Sequence, residues 1–154
     1  MAQIKGPALF LAQFMGDQPP FNTLDSISGW ARNLGFIGLQ LPCWDERIID
    51  LDKAASSKDY ADELKGRCNG AEITELATHM FGQLVAAHPA YDVLLDGIAD
   101  PAVRGNPAAR TEWAIERMQQ AIRASANLGV RVLPTFSGAL LWPMMYPWPQ
   151  RPPG

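Results

Sequence analysis

The feature of this 154-residue chain that most constrains its fold is a unit that occurs three times: a helix-like segment, a glycine, and a short apolar run. It reads Asn33-Leu34-Gly35 before 36–41, Asn69-Gly70 before 71–77, and Asn127-Leu128-Gly129 before 130–135. A glycine after a helix adopts the left-handed conformation that ends it, and each apolar run is typical of a buried strand. With a further apolar run over 8–14, the pattern predicts four strands alternating with three helices, and hence a parallel α/β sheet.

The helix boundaries follow from capping residues. The first helix is expected over about 23–33, because Asn22 or Thr23 can cap it. The second is expected over about 58–69, where Ser56 and Asp59 resemble a capping box. The third is expected to begin at Pro107 after Asn106, and it continues with apolar residues at helical spacing, namely Ile115, Met118, Ile122 and Ala126.

Composition limits the domain count and the partners. The chain is 47% hydrophobic and 19% charged, which predicts one folded domain over 1–141, with 142–154 as a Pro-rich tail or truncation point. A net charge of -3 without a run of Lys or Arg argues against nucleic acid and membrane partners. Without a long apolar stretch or a leader-like start, a cytoplasmic location is predicted, and Cys43 and Cys68 are expected to be reduced.

The connections between elements are unequal in length. From helix to strand they are short, but from strand to helix they are long, over 42–57, over 78–105 and after 135. In parallel α/β folds the loops after the strands form the ligand-binding face. The sequence therefore predicts a ligand site at the carboxyl ends of the strands.

The predicted ligand face carries aromatic and hydrogen-bonding side chains and none of the glycine-rich phosphate-binding motifs. Aromatic rings beside donors and acceptors suit a polyhydroxylated ligand. The candidate substrate-binding residues are Phe14, Gln40, Trp44, Asp45, His79, Ser137 and Trp142. Alternative interpretations stay open: core packing for Phe14, tail packing for Trp142, a loop anchor for Trp44, a solvated loop for Asp45 and a structural histidine for His79.

The segments 6–14, 35–42, 73–79 and 127–130 resemble the first half of sugar phosphate isomerases/epimerases of the xylose-isomerase-like TIM-barrel superfamily. The resemblance implies half of an eight-stranded barrel in which a divalent metal (Mn, Mg or Co) binds the sugar and carboxylates move a proton through an enediolate. It also implies that the metal ligands come from strands five to eight, which this chain lacks. Only positions that line the substrate cavity carry over, namely Phe14, Trp44, His79 and Trp142.

The predicted fold is thus a parallel (βα)4 half of a TIM barrel, and a small flavodoxin-like sheet is the alternative. Half a barrel leaves two sheet edges and an apolar inner face open. We therefore expect a homo-oligomer or a missing second half-barrel. The predicted function is the N-terminal half of a metal-dependent sugar (phosphate) isomerase or epimerase. The alternative is a non-catalytic half-barrel that binds carbohydrate or assembles with another subunit.

Overall fold

A computed structural model describes residues 6–140 of the chain. The strands are β1 (Ala8–Phe10), β2 (Gly38–Pro42) and β3 (Glu72–Ala77). The helices are α1 (Leu24–Asn33), α2 (Leu51–Ser56), α3 (Lys58–Gly66), α4 (His79–Leu84), α5 (Asp92–Leu95) and α6 (Pro107–Leu128). No helix within residues 6–140 is long and apolar enough to cross a membrane.

The described chain divides into two compact units. Residues 6–77 and 120–134 form the sheet unit, and residues 78–119 and 135–140 form the helical unit. Helix α6 contributes its first part to the helical unit and its last part to the sheet unit. The predicted domain boundary after residue 141 and the predicted tail over 142–154 lie outside the described residues.

The sheet is parallel, and its strands lie in the order β1-β2-β3. The prediction of a mixed α/β fold with a parallel sheet is confirmed. The predicted fourth strand over 130–135 is represented in the described chain by one parallel bridge, between Glu75 and Val132. Pro134 has no amide hydrogen for a longer ladder, and the count of four βα units is not confirmed.

The predicted ends of the helices agree with the structure at several positions. The Thr23 side chain accepts a hydrogen bond from the Ser26 amide at 3.3 Å and caps α1. The Asn106 side chain accepts one from the Ala109 amide at 3.1 Å where α6 begins. The glycines of all three repeated units have left-handed backbone, with φ of 92° at Gly35, 77° at Gly70 and 74° at Gly129.

The second predicted helix is corrected in two respects. Ser56 is the last residue of α2, and its hydroxyl donates to the Asp52 carbonyl at 2.7 Å, so the proposed Ser56–Asp59 capping box is wrong. Ser57 caps α3 instead, by accepting from the Tyr60 amide at 3.2 Å. Helix α3 also ends at Gly66, before Asn69.

The spacing of Ile115 and Ile122 correctly predicts a helix, but these side chains are 42% and 59% exposed. Three positions of α6 with no exposed surface are alanines, namely Ala114, Ala121 and Ala124. Small side chains let a helix backbone approach its neighbours closely, so these alanines face inward, whereas Ile115 and Ile122 face out.

The core of the sheet unit lies on one face of the strands. Leu39, Leu41 and Leu76 are wholly buried, together with Ile27 of α1 and Leu64 of α3. Because side chains alternate along a strand, the residues between these leucines lie on the opposite face. That face is less covered, since Val132 is 51% exposed there.

The helical unit has a separate core, formed by Leu84, Leu95, Ala99, Ala114 and Ala139. Beside it lies Arg110, which is 1% exposed. Its guanidinium donates to Asp96 at 2.7 Å, to the Asp92 backbone carbonyl at 2.7 Å and to the Asp92 carboxylate. This buried ion-pair cluster ties the 92–96 segment to α6.

Candidate functional site

A row of one aromatic and two polar side chains crosses the less covered face of the sheet, and it is named here for its two polar members. Phe10 of β1 pairs with Gln40 of β2, and Gln40 pairs with Glu75 of β3. The Gln40 side-chain amide donates a hydrogen bond to the Glu75 carboxylate. All three side chains are half-buried. We call Phe10, Gln40 and Glu75 the polar row.

A β-bulge puts Glu75 in this row. Leu39 pairs with Ile73, but the next residue, Gln40, pairs with Glu75, so Thr74 is the extra residue in β3. The Thr74 hydroxyl donates to the Leu39 carbonyl at 3.1 Å. Without the bulge, strict alternation would place Glu75 on the same face as the buried Ile73.

Glu75 is the functional candidate that the sequence analysis missed. The signal was a lone carboxylate inside the apolar run 73–77. The bulge decides on which face of the sheet the Glu75 side chain lies, because a shift of one residue moves every later side chain of the strand to the other face.

Trp44 lies close to the polar row. Its ring meets the Phe10 ring edge to face, with centroids 6.3 Å apart and planes at 81°. Trp44 is half-buried and is the second residue after β2. The structure therefore brings two predicted site residues, Gln40 and Trp44, together with Phe10 and Glu75.

Asp45, also predicted as a substrate-binding residue, holds an ion pair. Its two carboxylate oxygens accept from Arg47 Nε at 2.9 Å and from Arg47 Nη2 at 2.7 Å. Arg47 also donates to the Gly16 carbonyl at 3.0 Å and to Asp17 at 3.3 Å. The hydrogen bonds that Arg47 donates to the Asp45 carboxylate raise the pKa of Arg47 above its usual value. The pair thus fixes the loop after β2 to the segment after β1.

Phe14 packs in an aromatic cluster next to α1. Its ring centroid lies 5.2 Å from that of Trp30, and Trp30 also meets Phe21 at 5.1 Å. Phe14 keeps 36% of its surface exposed. Its position agrees with a packing role, while its exposed part leaves room for a ligand.

His79 and Ser137 belong to the helical unit. His79 is the first residue of α4, and its ring meets the Phe136 ring at 5.1 Å and 67°. Ser137 follows Phe136 and is exposed. The structure thus places both predicted residues beside Phe136, and Trp142 lies outside the described residues.

The backbone of α4 lies very close to the segment 135–139 in the helical unit. A Cβ on Gly82 of α4 would lie 2.0 Å from Thr135 Oγ1 and 2.1 Å from the Phe136 carbonyl oxygen. The Gly138 amide donates to the Gly82 carbonyl at 2.9 Å, and the Ala139 amide donates to the Ala86 carbonyl at 2.7 Å. A side chain at position 82 would therefore displace the segment that carries Phe136 and Ser137.

Two further kinds of site are metal centres and reactive thiols. Within residues 6–140 no three His, Cys, Asp or Glu side chains group as metal ligands. Cys43 and Cys68 are buried free thiols, and burial raises the pKa of Cys68 to about 11. Cys68 is therefore a protonated core residue at neutral pH and a poor nucleophile.

The site with the best-defined chemistry is the polar row with Trp44: a carboxylate, an amide and two aromatic rings on one open sheet face. Comparison with known proteins adds no assignment to it, because neither a protein-family model nor a curated protein matches the sequence.

Proposed function

We propose that this chain is the first half of a sugar isomerase or epimerase barrel, and that the polar row with Trp44 contacts the sugar. The observation that carries the proposal is the hydrogen-bonded pair of Gln40 and Glu75 on the open sheet face, beside the Phe10 and Trp44 rings. Sugars present hydroxyl groups to polar side chains and C–H surfaces to aromatic rings. This combination supports a polyhydroxylated ligand over a wholly apolar one.

The order of the strands supports the barrel over the flavodoxin-like alternative. Strands of a βα barrel lie side by side in chain order. A flavodoxin-like sheet instead has the order 2-1-3-4-5, with the first strand between the second and the third. Here β2 lies between β1 and β3, and Val132 continues the series beyond β3.

The chemical step of the proposed reaction is a proton transfer. A base removes the hydrogen on the carbon next to the sugar carbonyl, and the electron pair of that C–H bond moves to form an enediolate. Return of the proton to the neighbouring carbon gives the isomer, and its return to the opposite face gives the epimer. A divalent metal would stabilise the enediolate oxygens.

Among the described residues no group of three or more His, Cys, Asp or Glu side chains could hold a metal ion. We therefore assign substrate contact to this half, and the metal ligands and the base to the strands that would complete the barrel. Those strands belong either to further chain or to another subunit. Either source would also cover the sheet edge beyond Val132.

Hydrogen exchange tests the proposed reaction. The protein, in the assembly that light scattering defines, is incubated in D₂O with Mn²⁺ and a set of ketoses and aldoses, while proton NMR follows the C–H next to the carbonyl. Loss of that signal in one sugar is expected. Titration calorimetry of the same sugars measures binding separately.

Each outcome decides between the two functions. Exchange with binding supports the isomerase or epimerase. Binding without exchange in the fully assembled protein supports the non-catalytic carbohydrate-binding half-barrel. Absence of binding to every sugar rejects both functions. Trp44→Leu is the test variant and should weaken binding, whereas Trp113→Leu, which packs against Phe81 in the helical unit, is the matched control.

A further inference from the structure

The polar row presents hydrogen-bond acceptors in excess of donors. A carboxylate accepts at about four lone-pair sites and donates none when ionised. Gln40 supplies one of its two N–H donors to Glu75. What the pair offers to a ligand is therefore mainly the remaining lone pairs of Glu75 and the side-chain carbonyl of Gln40.

The negative charge of Glu75 is not neutralised by a neighbouring side chain in the described chain. Its hydrogen-bond partner is the neutral Gln40, and among residues 6–140 it has no ion pair with Lys, Arg or His. The nearest arginine along the neighbouring segment, Arg131, lines a cleft of about 310 Å³ with Ile122 and Ser125 of α6. Val132 is the partner of Glu75 in the parallel bridge, so alternation along the chain assigns its neighbour Arg131 to the other face.

We propose that Glu75 makes this site selective for neutral, hydroxyl-bearing parts of a ligand and against carboxylate or phosphate groups. The proposal rests on the proposed sugar-binding function and specifies which end of the sugar lies over the polar row. A hydroxyl can donate to Glu75, whereas an anionic group offers only acceptors and is repelled. Repulsion between like charges a few ångströms apart at a partly buried site corresponds to roughly tenfold or more in affinity.

A matched pair of ligands tests the selectivity. Xylitol and xylonate have five carbons each and differ at one end, where a CH₂OH is replaced by a carboxylate. The dissociation constants of both for the full chain are measured by titration calorimetry. The wild-type protein is expected to bind xylitol at least about tenfold more tightly than xylonate.

Three variants separate charge from shape. Glu75→Gln keeps the size of the side chain and should reduce the preference for xylitol by about tenfold, mainly through tighter binding of xylonate. Gln40→Met removes the amide but keeps the carboxylate, so it should weaken both ligands and preserve the preference. Glu72→Gln removes an exposed carboxylate at the start of the same strand. It should change neither the affinity for the two ligands nor the preference between them.

The binding measurements separate rejection of the selectivity proposal from rejection of the proposed sugar-binding function. If the wild type binds xylitol and the preference is unchanged in a folded Glu75→Gln variant, the selectivity proposal is rejected and sugar binding stands. A wild-type preference for xylonate also rejects it. If no sugar in the calorimetric set binds, the proposed function fails, and this inference fails with it.

Discussion

Gly38 lies so close to Thr74 that a Cβ at position 38 would stand 2.6 Å from the Thr74 methyl carbon. The contact crosses from β2 to β3 at the bulge that places Glu75 opposite Gln40. It fixes Thr74 from one side, while the Thr74 hydroxyl bonds to the Leu39 carbonyl on the other. The polar row therefore depends on the absence of a side chain at position 38.

Gly38→Ala is expected to destabilise the sheet unit by about 1–3 kcal/mol, because the added methyl overpacks against Thr74 and against Ala8, whose Cβ lies 3.0 Å away. Urea denaturation measures the change. Thr74→Ser removes the clashing methyl and keeps the hydroxyl, so Gly38→Ala should cost less in that background. Gly66→Ala, with no atom within 4 Å of its Cβ, is the control and should be neutral or stabilising.

Arg110→Met is expected to destabilise the helical unit by about 3 kcal/mol, since it leaves Asp92 and Asp96 without the buried guanidinium. Hydrogen exchange followed by mass spectrometry on peptides from 92–119 should show faster exchange in the variant. Arg123→Met, at an exposed position of the same helix, is the control and should leave exchange in these peptides unchanged. If Arg110→Met and Arg123→Met changed the exchange rates equally, the buried ion-pair cluster would not be what stabilises the helical unit.

Cys68 makes stability sensitive to alkaline pH. Burial raises the pKa of its thiol from 9.0 to about 11, so the folded protein keeps a proton that the unfolded chain loses first. Stability is fully present below pH 9 and falls as the pH rises from 9 towards 11, by about 1.4 kcal/mol per pH unit. Denaturation of wild type and Cys68→Ala across this range measures the effect, and parallel pH profiles would contradict it. At pH 8 the native thiol should resist alkylation by iodoacetamide.

Asp50 caps α2 and makes the stability of this helix depend on pH in the acid range. A hydrogen bond from the Lys53 amide lowers the pKa of Asp50 below 3.8, and its carboxylate lies 3.0 Å from the Lys53 ammonium. The stabilisation is present above pH 3.8 and is lost as the pH falls through the lowered value. Asp50→Ala should cost about 1 kcal/mol at neutral pH, and Asp50→Asn less, because asparagine also caps helices.

Thermal melts at pH 3 and pH 6 check this dependence. The difference between wild type and Asp50→Asn should shrink at the lower pH, where the wild-type carboxyl becomes protonated. A difference that is the same at both pH values would show that the charge of Asp50 contributes nothing.

The local signals in the sequence located α1, α3, α6, β2 and β3, whereas α2, α4 and α5 were not predicted. Thr23 and Asn106 cap their helices through side-chain hydrogen bonds to residues three positions later, and such bonds are short-range. Gly35 and Gly129 end helices because glycine, which has no Cβ, adopts positive φ without strain. For the candidate site, Gln40 and Trp44 were predicted because Gln40 lies in a strand that the apolar pattern predicts and Trp44 lies two residues after it.

The sequence by itself determined the alternation of strands and helices, since each boundary depends on a few neighbouring residues. The tertiary structure alone decided which face Glu75 occupies, because the bulge at Thr74 is fixed by a contact with Gly38 and a bond to Leu39, more than 30 positions away. It also decided that Ala114, Ala121 and Ala124, rather than Ile115 and Ile122, lie on the buried side of α6. Packing distance and strand register are properties of elements that meet in space, so no local pattern along the chain specifies them.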